Sequence, residues 1–131
     1  YSDLEVTSDD LSAMIIIFKN NVVGELHLDY FQRPDFKSCK IKGTKSTLYW
    51  DSTTNEVKLF SQKNKSWKSI YKLKNFDNNQ MYVDELKHFF KCIKNNKKTI
   101  NDIDDGIKTL KVVLSAKKSS ESGNLITINK K

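Results

Sequence analysis

Two hydrophobic periods divide the chain. In the first part, short apolar runs alternate with clusters of Asn, Ser, Thr and Asp; from about Asp77 onward, apolar residues recur every three or four positions. The β-branched run Ala13 to Lys19 predicts a strand, Asn20 and Asn21 a turn, and Val22 to Gln32 a second strand, together a hairpin. Phe36 to Lys42 predicts a third strand closed by Gly43, and Ser46 to Asp51 a fourth with Leu48, Tyr49 and Trp50 at its centre. Ser52 to Asn55 carries turn chemistry, and Glu56 to Ser61 with Trp67 to Leu73 predicts another hairpin around Gln62 to Lys65. Such short links imply mostly antiparallel pairing.

The later part predicts two helices. Tyr82, Leu86, Phe89, Phe90 and Ile93 follow helical spacing after a cap at Asp77 or Asn78, and Asn95 to Lys98 breaks that helix. Asn101 is expected to cap a second helix with Ile103, Ile107, Leu110, Val113 and Leu114 on one face, Lys117 and Lys118 near its end and Gly123 as its C-cap. Leu125 to Ile128 predicts a closing strand. The order implies one α+β domain over residues 1–131, a mostly antiparallel open sheet with two helices packed on one face. Both strand parities carry large side chains: Leu26, Leu28 and Tyr30 against Phe31, Leu48 and Trp50 against Tyr49, and Val57 and Leu59 against Phe60. A sheet apolar on both sides is expected to pack on both, leaving one face for oligomerisation or a second domain.

Composition narrows the class without naming a partner. The chain has 131 residues, 37% hydrophobic and 30% charged, with a net charge of +7. No apolar run approaches the roughly 20 residues of a membrane span, and no signal peptide is visible. The charge fits nucleic acid, a membrane surface or an anionic ligand, but the lysines are spread from Lys19 to Lys131, which favours their use as solubilisers. Cys39 and Cys92 have neither CxxC spacing nor an expected histidine partner nearby and read as reduced thiols of a cytoplasmic protein; His27 and His88 are too scattered for zinc. The chain begins with Tyr1, so it is expected to be a segment of something longer.

The candidate chemistry sits at the end of the second strand. Arg33 and Pro34 are the sole arginine and sole proline of the chain. A planar guanidinium offers a fork of donors that lysine does not copy. Tyr30, Gln32 and Arg33 together would suit a polyhydroxylated or phosphorylated ligand; the competing reading pairs Arg33 with Asp35 and puts Tyr30 in the core, and both stay open. His27 and Asp29 share a strand face, as a surface or interface ion pair or, less simply, as a proton-transfer pair. Tyr49, Trp50 and Trp67 suit packing better than an aromatic platform for a sugar or base. Asp102, Asp104 and Asp105 are explained by a helix dipole rather than a cation. The four glycines, Gly24, Gly43, Gly106 and Gly123, match neither GxGxxG nor P-loop spacing, so no dinucleotide site is expected within the chain.

The stretch from Gly24 to Asp51 resembles the C-terminal domain of the glucose–fructose oxidoreductase / inositol dehydrogenase (Gfo/Idh/MocA) family. Ile41-Lys42-Gly43-Thr44-Lys45-Ser46-Thr47-Leu48 resembles its I-x-G-x-x-G-x-L/I step, with Ser46 replacing the second glycine and Lys37 standing where arginine is frequent. Tyr82 to Phe90 resembles the family helix Y-x-x-E-L-x-H-F, and Asn101 to Gly106 its S-x-x-D-G helix start. The resemblance implies an NAD(P)-dependent oxidoreductase acting on a sugar, sugar nucleotide or polyol. Its Rossmann domain, E-K-P lysine and D-x-x-x-H motif would lie upstream of Tyr1, leaving this chain inactive alone. The family's substrate contacts map here to Tyr30, Gln32 and Arg33, and its sheet face to a homo-oligomer interface. The competing readings are a non-enzymatic α+β ligand-binding or scaffold domain and, behind it, a basic nucleic-acid-binding module.

Overall fold

The computed structural model describes residues 2–129, which divide into one unit through Asp77 and a second from Asn78. The first unit is all β. Strands β1 (Leu11–Ile17) and β2 (Val23–Asp29) form an antiparallel hairpin, and β3 (Ser38–Lys42), β4 (Ser46–Asp51), β5 (Glu56–Ser61) and β6 (Ser66–Lys72) form an antiparallel sheet in sequential order. The second unit holds α1 (Asn78–Lys94) and α2 (Ile103–Ser122). The α+β class and the antiparallel pairing are those the hydrophobic pattern predicts. The strands, however, fall into a two-stranded and a four-stranded sheet rather than one.

Hydrogen-bonding side chains set the boundaries that periodicity misjudges. β1 starts at Leu11 and stops at Ile17, two residues earlier than its β-branched run suggests. The Phe18 N–H donates to the Val22 carbonyl (2.9 Å) and Asn21 takes a left-handed conformation with φ 62°, so residues 18–22 belong to the turn. β2 ends at Asp29 rather than Gln32, because the Asp29 carboxylate takes the next backbone donors out of the ladder. β4 and β5 fall where predicted. Their turn is fixed by the buried Asp51, whose Oδ1 accepts from the backbone N–H and hydroxyl of both Thr53 and Thr54 at 2.6–3.1 Å.

Register sorts the sheet into two unlike faces. Cys39 pairs with Trp50, Ile41 with Leu48, Leu48 with Leu59, and Trp50 with Val57, giving one face with an apolar centre, edged by Lys68 opposite Leu59 and by the serines Ser46, Ser61 and Ser66. The other carries Lys40 opposite Tyr49, Tyr49 opposite Lys58, and Phe60 opposite both Thr47 and Trp67. A bulge between Val57 and Lys58 leaves Ile70 as the extra residue of β6.

The helices begin and end on identifiable caps. Asn96 adopts φ 48°, its N–H donates to the Ile93 carbonyl, and the Lys97 N–H donates to the Cys92 carbonyl. This paired 5→2 and 6→1 pattern closes α1 as a Schellman motif with asparagine at the left-handed position. The cap of α2 is Asp102, not the expected Asn101: Asp102 has an extended backbone and accepts from the N–H groups of Asp104 and Asp105. Gly123 ends α2 as predicted, at φ 67°, donating to the Ser119 carbonyl. The expected closing strand is absent. Residues 125–128 have no ladder partner, and Asn124 before them is held to the helix end by Ser119 Oγ (2.6 Å) and by its own bonds to Ser122.

Candidate functional site

After the Leu11–Asp29 pair the chain leaves the ladder in a loop organised by Asp29. The Tyr30 N–H donates to the Asp10 carbonyl (3.1 Å), extending the hairpin by one bond. Asp29 Oδ1 then accepts from the N–H groups of Phe31 (3.2 Å) and Gln32 (2.6 Å). Its Oδ2 lies 3.1 Å from His27 Nε2, with the Asp29 side chain buried and the imidazole exposed. The expected His27–Asp29 contact therefore exists, and its carboxylate is occupied in shaping the loop.

Arg33 folds back over that loop. Its Nη1 donates to the carbonyls of Tyr30 (3.1 Å) and Gln32 (2.9 Å), and the Gln32 amide reaches the Pro34 carbonyl at 3.5 Å. The Arg33–Pro34 peptide is cis. Of the two readings open in the sequence, the pairing of Arg33 with Asp35 is not observed: among the described residues no carboxylate pairs with the guanidinium. Tyr30 is not a core residue either, being 61% exposed. Tyr30, Gln32 and Arg33 are thus gathered in one exposed loop of the first unit, tied together by Arg33.

The aromatic group is rearranged relative to expectation. Tyr49 and Trp67 lie together, ring centroids 6.5 Å apart and edge-on, and Phe60 joins them 5.4 Å from Trp67. Lys40 Nζ sits 5.5 Å over the Tyr49 ring. Trp50, expected beside them, pairs with Cys39 and Val57 on the opposite face, because adjacent strand residues point to opposite sides. Phe60 was recoverable from the same parity rule.

The acidic cluster proves structural. Asp102 caps α2 and pairs with Lys98 (3.0 Å), whose hydrogen bond, with those of the helix N–H groups, holds the Asp102 carboxyl below its ordinary range. Lys98 also reaches Asp104 (3.4 Å), and Lys108 pairs with Asp105 (2.8 Å). No group of metal-ligating side chains occurs among the described residues. One contact escaped the sequence: His88 and Cys92, one turn apart on α1, fasten the interhelical link. His88 Nε2 accepts from the Ile100 N–H (3.1 Å) and lies 3.6 Å from Cys92 Sγ, which donates to the Lys98 carbonyl (3.4 Å). Their i,i+4 spacing was the available signal. Cys92 is buried and Cys39 exposed, both as free thiols.

The family described as "Oxidoreductase family, C-terminal alpha/beta domain", the Gfo/Idh/MocA C-terminal domain, matches residues 2–128. Neither a curated protein nor a solved structure gives a significant match. No helix among the described residues is long and apolar enough to cross a membrane.

Proposed function

This chain belongs to the Gfo/Idh/MocA oxidoreductase C-terminal domain family, and on that premise we propose that it is the substrate-binding and oligomerisation domain of a cytoplasmic NAD(P)-dependent oxidoreductase acting on a sugar, sugar nucleotide or polyol. The family match over residues 2–128 carries the reading. In it, an N-terminal Rossmann domain supplies the nucleotide site and the catalytic lysine, while Tyr30, Gln32 and Arg33 contact the substrate. The strand-end loop supports this role: Tyr30, Gln32 and Arg33 share one exposed loop whose backbone is tied together by the Arg33 guanidinium. Loops held by a rigid ladder are where ligand contacts concentrate. The second, aromatic–lysine face of the sheet supports association of subunits, and neither nucleic acid nor membrane enters as a partner.

The division of labour has a direct test. Tight dinucleotide binding needs a glycine-rich turn that brings backbone N–H groups against the pyrophosphate. Titration calorimetry of the 131-residue chain with NAD(H) and NADP(H) is expected to show no binding heat, and the chain no dehydrogenase activity. Micromolar affinity for either nucleotide would overturn the assignment.

A further inference from the structure

The Arg33 guanidinium is half used. Nη1 is engaged by the Tyr30 and Gln32 carbonyls, both within its own loop. A guanidinium carries five N–H donors in one plane. Those on Nε and Nη2 have no partner among the described residues, and they form the edge of the group whose two parallel N–H bonds match the paired oxygens of a carboxylate or phosphate.

The acidic residues of the same loop do not compete for that edge. Asp29 is committed to the Phe31 and Gln32 N–H groups and to His27. Asp35, two residues on, makes no ion pair with Arg33. Holding Nη1 on two carbonyls also fixes the plane of the fork, so less side-chain freedom is lost when a ligand binds. An exposed arginine used only for solubility has no need of such restraint. From this geometry we infer that the free Nε–Nη2 edge of Arg33 receives an oxyanion of the ligand, so that the loop selects an acidic or phosphorylated sugar over a neutral polyol. The inference rests on the substrate-contact reading above and narrows its substrate class. Gln32 and the exposed Tyr30 are left to meet the hydroxyl-bearing part of the same ligand.

Because Arg33 is the sole arginine, the 15N-labelled chain gives a single arginine Nε–H resonance. Inorganic phosphate, acetate and glucose are titrated in turn against sodium chloride at matched ionic strength. Phosphate or acetate is expected to move that resonance along a saturating curve that chloride does not reproduce. Response to phosphate alone assigns a phosphoryl group, and to acetate alone a carboxylate; either supports the inference. Anion responses indistinguishable from chloride overturn it. If, in that case, glucose still moves the resonance, the substrate-contact reading survives without the oxyanion; if glucose does nothing either, both fall. In the Arg33→Lys variant, checked for an unchanged circular dichroism spectrum, thermal protection by the effective anion is expected to need about tenfold more anion, since lysine keeps the charge but not the fork. Equal protection of both proteins would overturn the inference as well.

Discussion

At the residue scale, a carboxylate placed where a strand stops can hold a turn, and Asp29 and Asp51 both do this. Asp51 is the more heavily engaged, with four donors from Thr53 and Thr54 on one oxygen. The Thr53 hydroxyl, then the Thr54 backbone N–H, hold its carboxyl below the ordinary aspartate range. A depressed folded value means that folding favours the ionised form. The resulting stability is fully present above the unfolded aspartate value of about 3.9 and is lost as pH falls through the lower folded value. Asp51→Asn is therefore expected to lower the melting temperature at neutral pH, with the gap to wild type closing under acid. Denaturation curves at neutral pH and near pH 3 check this (roughly one unit below the unfolded value); a gap independent of pH would show that charge is not the cause. The Asp51 turn was legible because Asp-Ser-Thr-Thr-Asn is turn chemistry by type. The Arg33 loop was legible only as a place. Which acceptor a guanidinium takes depends on where two backbone carbonyls point, and neither spacing nor composition encodes that.

At the element scale, the helices were legible through their apolar spacing and their ends through single residues with one special capacity. Gly123 was read correctly because a left-handed residue after a serine-rich last turn is most easily glycine. Asn96 takes the corresponding place after α1 with a side chain, at φ 48°. A Cβ in the left-handed region costs about 1–2 kcal/mol, an expense that asparagine partly offsets by local hydrogen bonding. Stability is therefore expected to follow Asn96→Gly at or above wild type, with Asn96→Ala about 1 kcal/mol below it. Urea unfolding of the three proteins decides the matter, and an alanine variant as stable as wild type would contradict the Schellman assignment. Residues 125–128 were misread for the opposite reason. Their β-branched Ile126, Thr127 and Ile128 satisfy a strand template, but a strand also needs an edge to pair with, and residue type says nothing about edges. Asp102 was displaced from the cap by Asn101 in the sequence reading because both are good caps and lie side by side; the backbone angles of Asp102 decide between them.

At the scale of the whole molecule, most large apolar side chains remain accessible, and among the described residues Cys92 alone of the apolar set is buried. The two faces of the four-stranded sheet differ in what they can meet. One has an apolar centre of Ile41, Leu48, Trp50, Val57 and Leu59, with Lys68 and Tyr71 contributed by β6. The other sets Tyr49, Phe60 and Trp67 among Lys40, Lys58 and Glu56, with Trp67 50% exposed. Aromatic anchors inside a polar rim are the composition of subunit interfaces rather than of cores. Self-association through this second face is therefore expected, and sedimentation velocity over a concentration series should show the weight-average mass rising with concentration. Trp67 touches both other rings, so it is the natural anchor. Trp67→Ala is expected to weaken association by about 2 kcal/mol, roughly thirtyfold in dissociation constant. Trp50→Phe, on the opposite face, should leave it unchanged. A wild-type chain that stays monomeric at high concentration would remove the interface, whereas association that ignores Trp67 but responds to Trp50 would move it to the other side of the sheet.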